Sequence, residues 1–217
     1  MTEFRSFGKI ARLSRECVIT EKIDGTNACV YIGEDGEFLT GSRTRWITPS
    51  DDNYGFSQWA HDHKDELLLL GPGQHFGEWW GKGIQRSYGL TERRFSLFNV
   101  SRWNKETKPP CCRVVPTVFR GIFTTDAVEK ALLILKRVGS MAAPEFEGKA
   151  EGVVIFHEAS GHLYKKTFER DDEPKGARVK KERPPQVARL HHVGIMWTGG
   201  RRKGSTEGYA GPERRRA

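Results

Sequence analysis

Most apolar residues of this chain fall in short β-type runs set off by glycine turns, and a helical period shows in only three places. Cys17-Val18-Ile19 and Ala28-Cys29-Val30-Tyr31-Ile32 read as strands, the second rich in β-branched and aromatic residues. Gly33-Glu34-Asp35-Gly36 then turns the chain, so that residues 37–40 pair with 28–32. Further strands are expected at 94–100, 114–119, 151–156 and 162–168, the last two joined across Ala159-Ser160-Gly161. Among the helical stretches, Phe4, Phe7, Ile10 and Leu13 predict a short lead-in packed on the domain. Residues 57–70 predict a helix capped by Ser57 or Asn53, with Phe56, Trp59, Leu67 and Leu70 inward and Gly71-Pro72-Gly73 at its end. His61 and His63, two apart, share no helix face and read as solvent-facing, not as a metal pair. Residues 125–138 predict another helix, capped by Thr125 or Asp126 with Glu129 closing the box. It buries Ala131, Leu132, Leu135 and Val138, and Gly139 stops it.

Between the first two strands lies Thr20-Glu21-Lys22-Ile23-Asp24-Gly25-Thr26-Asn27, which puts a lysine on a rigid frame. A reactive amine belongs there if it must meet a phosphate in line. A surface lysine beside a glycine turn is the plain alternative. A second polar stretch, residues 74–86, sets Glu78 after a glycine on a strand, ahead of Trp79, Trp80 and a G-x-G-I-Q frame. The chain has no G-x-x-x-x-G-K-[ST] loop, so dispersed strand residues would have to hold a nucleotide.

The K-x-D-G-x-N spacing at Lys22, Asp24, Gly25 and Asn27 resembles the nucleophile motif of the covalent nucleotidyltransferases, which include ATP-dependent DNA and RNA ligases and mRNA capping enzymes. The longer string from Thr20, with F-G-E-W at 76–79, G-x-G-I-Q at 81–85 and E-G-x-V at 151–154, is most similar to RNA ligases of the RNA ligase 2 type. That resemblance implies an α+β nucleotidyltransferase (ATP-grasp-like) domain over residues 1–170, its antiparallel sheets enclosing an ATP cleft with helices outside. It implies that Lys22 attacks the α-phosphate of ATP, that Asp24 orients it, and that Glu21 and Asn27 are among the nucleotide contacts. Arg43, in an Arg-Thr-x-x-Ile-x-Pro frame, would meet the ribose, with Arg45 left as a nucleic-acid contact or a surface residue. Glu78 would bind the ribose hydroxyls, and Phe98, twenty residues on, would stack on adenine. Glu151 would bear on the metal or on Lys22.

Tyr164-Lys165-Lys166-Thr167 resembles the family's apolar-Lys-x-Lys motif, in which Lys165 would hold the α-phosphate. Strand alternation forbids Lys166 from facing the same way, and Lys166 is kept as the other register. Asn99 stands where the family commonly has Asp, and Thr167 where it has a second lysine. The activity implied is three nucleotidyl transfers with ATP and Mg2+: lysyl-AMP formation, adenylation of a 5′-phosphate RNA end, and sealing to a 3′-hydroxyl.

Net charge is +8, and residues 171–217 carry 12 Lys and Arg against 6 Asp and Glu, so the excess sits in the tail. A basic, partly disordered tail reads as an attractor of phosphate backbone or as a solubilising extension. No apolar run is long enough to span a membrane and the first residues lack a signal-peptide core. Cys17, Cys29, Cys111 and Cys112 have no zinc spacing, and the expectation is reducing cytoplasm, in a bacterium or a phage-infected host. A monomer with room for an accessory partner is expected. The competing readings are a DNA ligase or capping enzyme, which share the lysine motif, and a non-catalytic nucleic-acid-binding module.

Overall fold

The computed structural model describes residues 3–169 and 171, so the expected tail lies outside the described residues apart from Asp171. In chain order the elements are β1 (Glu16–Lys22), β2 (Thr26–Ile32), β3 (Phe38–Gly41), β4 (Trp46–Ile47), α1 (Phe56–Asp62), α2 (Lys64–Leu67), β5 (Gly73–Gly81), β6 (Arg93–Leu97), β7 (Cys112–Val114), β8 (Thr117–Ile122), α3 (Thr125–Val138), β9 (Gly152–His157) and β10 (His162–Thr167). They form a four-stranded sheet, β10-β9-β1-β8, and a six-stranded sheet, β4-β3-β2-β5-β6-β7. Every pairing is antiparallel except β6 with β7, and the fold is α+β as expected.

Each sheet is covered on one face. Side chains alternate along a strand, so residues two apart share a face and directly paired residues share it across the ladder. In the smaller sheet Cys17, Ile19, Val153 and Ile155 pack against Ala127, Val128, Ala131, Leu132 and Leu135 of α3. In the larger sheet Ala28, Val30, Ile32, Trp79, Phe95 and Leu97 pack against Phe56, Ala60, Leu67 and Leu70 of α1, α2 and the turn that follows. The chain passes between the sheets at residues 23–25 and again at 115–116. Ile23, Trp80, Tyr88, Val115 and Ala143 bury each other beside these crossings. Among the described residues no helix is long and apolar enough to cross a membrane.

Several expectations are corrected. Residues 114–119 are not one strand: Pro116 cannot donate to a ladder, and the chain leaves β7 in one sheet to enter β8 in the other, the Pro116 carbonyl accepting from the Glu21 N–H (2.9 Å). The amphipathic lead-in is not a helix; Phe4, Phe7, Ile10 and Leu13 are all exposed, so their period has no surface to bury against. The helix expected at 57–70 is broken into α1, α2 and a 3-10 turn, Leu68–Leu70. Gly55 stands at the head of α1, and the Asp52 carboxylate, not Ser57 or Asn53, takes the Ser57 and Gln58 N–H groups (2.8 and 3.0 Å). His63 is half-buried against Trp59, whereas His61 is exposed. Thr124 caps α3 through the Ala127 N–H (3.0 Å), Glu129 pairs with Lys166, and Val138 is exposed.

Candidate active site

Lys22 is the last residue of β1, the central pair-maker of the smaller sheet, and the next strand begins only at Thr26 in the larger one. The nucleophile candidate therefore sits at the crossing between the sheets, with its backbone paired to β9. Its ladder partner on β9 is Gly152, and a Cβ there would meet the Lys166 carbonyl oxygen at 2.2 Å, so only glycine lets β10 come this close. The residue before it, Glu151, places Oε2 at 2.6 Å from Lys22 Nζ. The two side chains are 24% and 20% exposed, shielded yet open to a ligand.

Facing this pair is Glu78 on β5. It stands opposite Asn27 on β2 and Ser96 on β6, on the face of the larger sheet that the helices leave uncovered. Its Oε1 accepts the Gly25 N–H at 3.1 Å. Gly25 has to be glycine for this: a Cβ would lie 2.5 Å from the Trp79 carbonyl oxygen and 2.7 Å from Trp80 Cβ. Burial pushes the Glu78 carboxyl from the ordinary 4.5 to about 7, against the pull of Lys22, the Gly25 N–H and Arg43, with Glu151 adding to the rise. Lys22, Glu151, Arg43 and Glu78 thus share one electrostatic site.

The sign of this shift gives a test. A carboxyl raised on folding holds its proton more tightly in the folded state, so its stabilising contribution is full below about pH 4.5 and is lost as the pH climbs through about 7. Glu78→Gln is expected to raise the thermal midpoint at about pH 8 and to change it little at about pH 4. A midpoint difference that does not grow with pH would refute the assignment.

Phe98 follows β6, two residues beyond Ser96, and its N–H reaches the Phe76 carbonyl (3.0 Å). Alternation puts the ring, 38% exposed, on the Glu78 face beside Phe76. Lys165 pairs with Val154, which pairs with Thr20, so it shares the Lys22 face of the smaller sheet and is exposed there. Lys22, Asn27, Glu78, Phe98, Glu151 and Lys165 therefore line the uncovered faces of the two sheets. Arg43 is an exposed residue of the loop after β3.

Three expected residues lie elsewhere or act otherwise. Lys166, opposite Val153, points to the α3 side and bonds Glu129 at 2.7 Å. Glu21, beside Lys22 in sequence, faces the same covered side, where its buried carboxylate accepts from the Ser140 hydroxyl (2.5 Å) and the Ala142 N–H (2.9 Å). It anchors the chain after α3, which is a structural duty and not a nucleotide contact. Asp24 does not reach Lys22; it accepts from Arg86 Nε at 2.8 Å, and Arg45 is held by a bidentate pair with Asp51.

Arg86 was missed by sequence reasoning. Its Nη1 also donates to the Lys149 carbonyl at 2.7 Å, so one guanidinium ties the Lys22 loop to the segment that carries Glu151. Tyr88, buried two residues on, accepts the Asp24 N–H at 2.7 Å, and burial pushes its hydroxyl well above the ordinary range. Both follow the G-x-G-I-Q frame directly, but nothing in the local sequence names partners more than sixty residues away.

A lysine paired with a carboxylate, opposed by a second carboxylate and flanked by an exposed ring and a further lysine, can present an amine to an anionic, ring-bearing ligand. Among the described residues no three His, Cys, Asp or Glu side chains gather as metal ligands. Glu151 Oε2 is on Lys22 while Oε1 has no protein partner among the described residues, which suits Mg2+, an ion usually held by one or two carboxylates plus phosphates and water.

A family model described as RNA ligase matches residues 15–170. No curated protein matches the chain. Solved structures of Naegleria gruberi RNA ligase resemble it: a mutant with ATP and Mn at 18% identity and TM-score 0.53, covering 71% of this chain and 50% of that one; a mutant with AMP and Mn at 18% and 0.54, with the same coverage; and the protein with PPi at 19% and 0.51, again with that coverage. At that identity the likeness shows the fold, and the chain spans about half the length of those ligases.

Proposed function

Because the chain belongs to the RNA ligase family, we propose that it is an ATP-dependent RNA ligase working through a covalent lysyl-AMP. The observation that carries the reading is the Lys22–Glu151 pair at 2.6 Å, set on an uncovered sheet face opposite Glu78. In the first step Lys22 Nζ attacks the α-phosphorus of ATP, a P–N bond forms, the bond to the β-phosphate oxygen breaks and pyrophosphate leaves. The proton that Lys22 must shed passes to Glu151, the carboxylate already in contact with it. Glu78 and Asn27 hold the ribose, Phe98 stacks on the adenine, Arg43 reaches the sugar from the rim, and Lys165 faces the α-phosphate. Glu151, through its other oxygen, would hold Mg2+ against the triphosphate, and the ion would neutralise charge there when bound.

In the second step a 5′-phosphate RNA oxygen displaces Lys22 from the adenylate, breaking the P–N bond. In the third a 3′-hydroxyl attacks the activated 5′ end and AMP departs. The neighbours solved with ATP, AMP and PPi support the reading of the first step by analogy of fold.

Sealing of a nicked duplex with 5′-phosphate and 3′-hydroxyl RNA ends, followed on a denaturing gel beside an all-DNA nick, tests the acceptor. RNA sealing faster than DNA sealing is expected. Faster DNA sealing would reassign the substrate, and AMP labelling with neither product would remove the sealing steps.

A further inference from the structure

The loop after β5 holds three non-glycine residues in the left-handed region, Gln85 (φ 46°), Ser87 (φ 55°) and Tyr88 (φ 51°), on either side of Arg86. Residues with a Cβ adopt that conformation at a cost and keep it only where surrounding contacts over-determine the backbone. Here they do. Ile84 is fully buried at the base of the loop, and Ser87 Oγ accepts the Gly83 N–H at 3.2 Å. The Tyr88 ring is wedged between Trp80 and Phe146, with centroids 5.0 and 5.1 Å away. What the strained loop delivers is three contacts: the Tyr88 hydroxyl accepts the Asp24 N–H (2.7 Å), Arg86 Nε donates to Asp24 Oδ2 (2.8 Å), and Arg86 Nη1 donates to the Lys149 carbonyl (2.7 Å).

These contacts fall where the backbone ladder stops. The last rung between β1 and β9 joins Lys22 to Gly152. Past it, β1 leaves through Ile23 and Asp24, and β9 is approached through Lys149, Ala150 and Glu151. Chain beyond the end of a ladder opens locally at little cost unless something else holds it. Toward β10 Glu151 is held by its carbonyl, which accepts the Phe168 N–H at 3.0 Å. Toward β1 the tie is the Arg86 guanidinium, a rigid fork with one nitrogen on each of the two diverging segments. Nε and Nη1 are thus both engaged by the protein itself.

We infer that Arg86 is a positioning residue for the nucleophile: by clasping the open end of the β1–β9 ladder it sets Lys22 Nζ against Glu151, without itself touching the nucleotide. The inference rests on the ligase reading for the reaction it serves. The strain in the loop is the cost of aiming a guanidinium and a phenol at one short segment of chain.

The test follows AMP-adduct formation at saturating ATP by intact-protein mass, and ATP affinity by equilibrium titration. It uses the full chain as wild type, Arg86→Ala, Arg86→Lys, Glu151→Gln and the double variant Arg86→Ala/Glu151→Gln. Arg86→Ala is expected to slow the adduct roughly tenfold or more while ATP affinity stays within about threefold of wild type. Arg86→Lys should recover only part of the rate, because an ammonium lacks the fork that spans Asp24 and the Lys149 carbonyl; it makes the same comparison should Arg86→Ala not fold. In the Glu151→Gln background the loss of Arg86 should cost less than about threefold, since the alignment it protects no longer serves a proton acceptor. A full multiplicative loss in that background would make the clasp general scaffolding and overturn the inference. So would an adduct rate within about threefold of wild type in Arg86→Ala, or a loss confined to ATP affinity. A wild type that takes no AMP would defeat the ligase reading, and acetylation of Lys22 by an amine-directed reagent without nucleotide would then decide the clasp alone. An amine released from Glu151 is free to attack, so Lys22 should react at least about threefold faster in Arg86→Ala, and equal rates would overturn the positioning role.

Discussion

Lys22→Ala is expected to abolish the gain of one AMP in intact-protein mass after incubation with ATP and Mg2+, while the protein stays folded. The loss should be complete because the reaction needs a neutral amine at this one point of the site, and a methyl group cannot form the P–N bond. Folding should survive because Lys22 contributes one ion pair at partial exposure, of the kind worth at most about 1 kcal/mol, and its backbone ladder to Gly152 does not depend on the side chain. Lys22→Arg should fail as well, since a guanidinium keeps its proton. An AMP adduct persisting in Lys22→Ala would move the nucleophile elsewhere.

Glu151→Gln is the second large effect. Glutamine keeps the shape and a hydrogen-bonding oxygen near Nζ but cannot take up a proton, so the rate of adduct formation should fall by roughly 10²-fold or more. The loss should shrink as the pH rises, because solvent then removes the proton that Glu151 no longer accepts. ATP binding, measured by equilibrium titration, should change far less than the rate. A rate within about threefold of wild type at every pH would remove Glu151 from the proton path. The pair puts the base in contact with the group it serves.

The parts of this site readable from sequence are those that strand geometry fixes. Glu78 and Phe98 were placed together by the family resemblance, and β5 and β6 pair in a register that sets them on one face. The choice between Lys165 and Lys166 follows from alternation, which the pairing with Val154 and Val153 resolves. The same alternation applies to Glu21 beside Lys22 and would have sent Glu21 to the covered side. What hid it was the nature of its partners, a serine and a backbone N–H after α3, which no motif marks. Arg86 escaped for the related reason that its meaning lies in Asp24 and the Lys149 carbonyl, far off in sequence. The crossing at Pro116 was misread because Val114-Val115 and Val118-Phe119 have strand composition on both sides, and composition does not say which sheet a strand joins. The lead-in failed because a period of apolar residues predicts a helix only where something exists for it to pack on.

The siting of Lys22 at the seam between the sheets divides the labour of the cleft like the two jaws of a vice. Lys22, Glu151 and Lys165 ride on the smaller sheet, while Asn27, Glu78 and Phe98 ride on the larger. A small change in the angle between the jaws would alter the reach from amine to ligand while leaving the contact between amine and proton acceptor unchanged. On the proposed function, the amine and its proton acceptor would then stay together on one jaw whatever the width of the cleft.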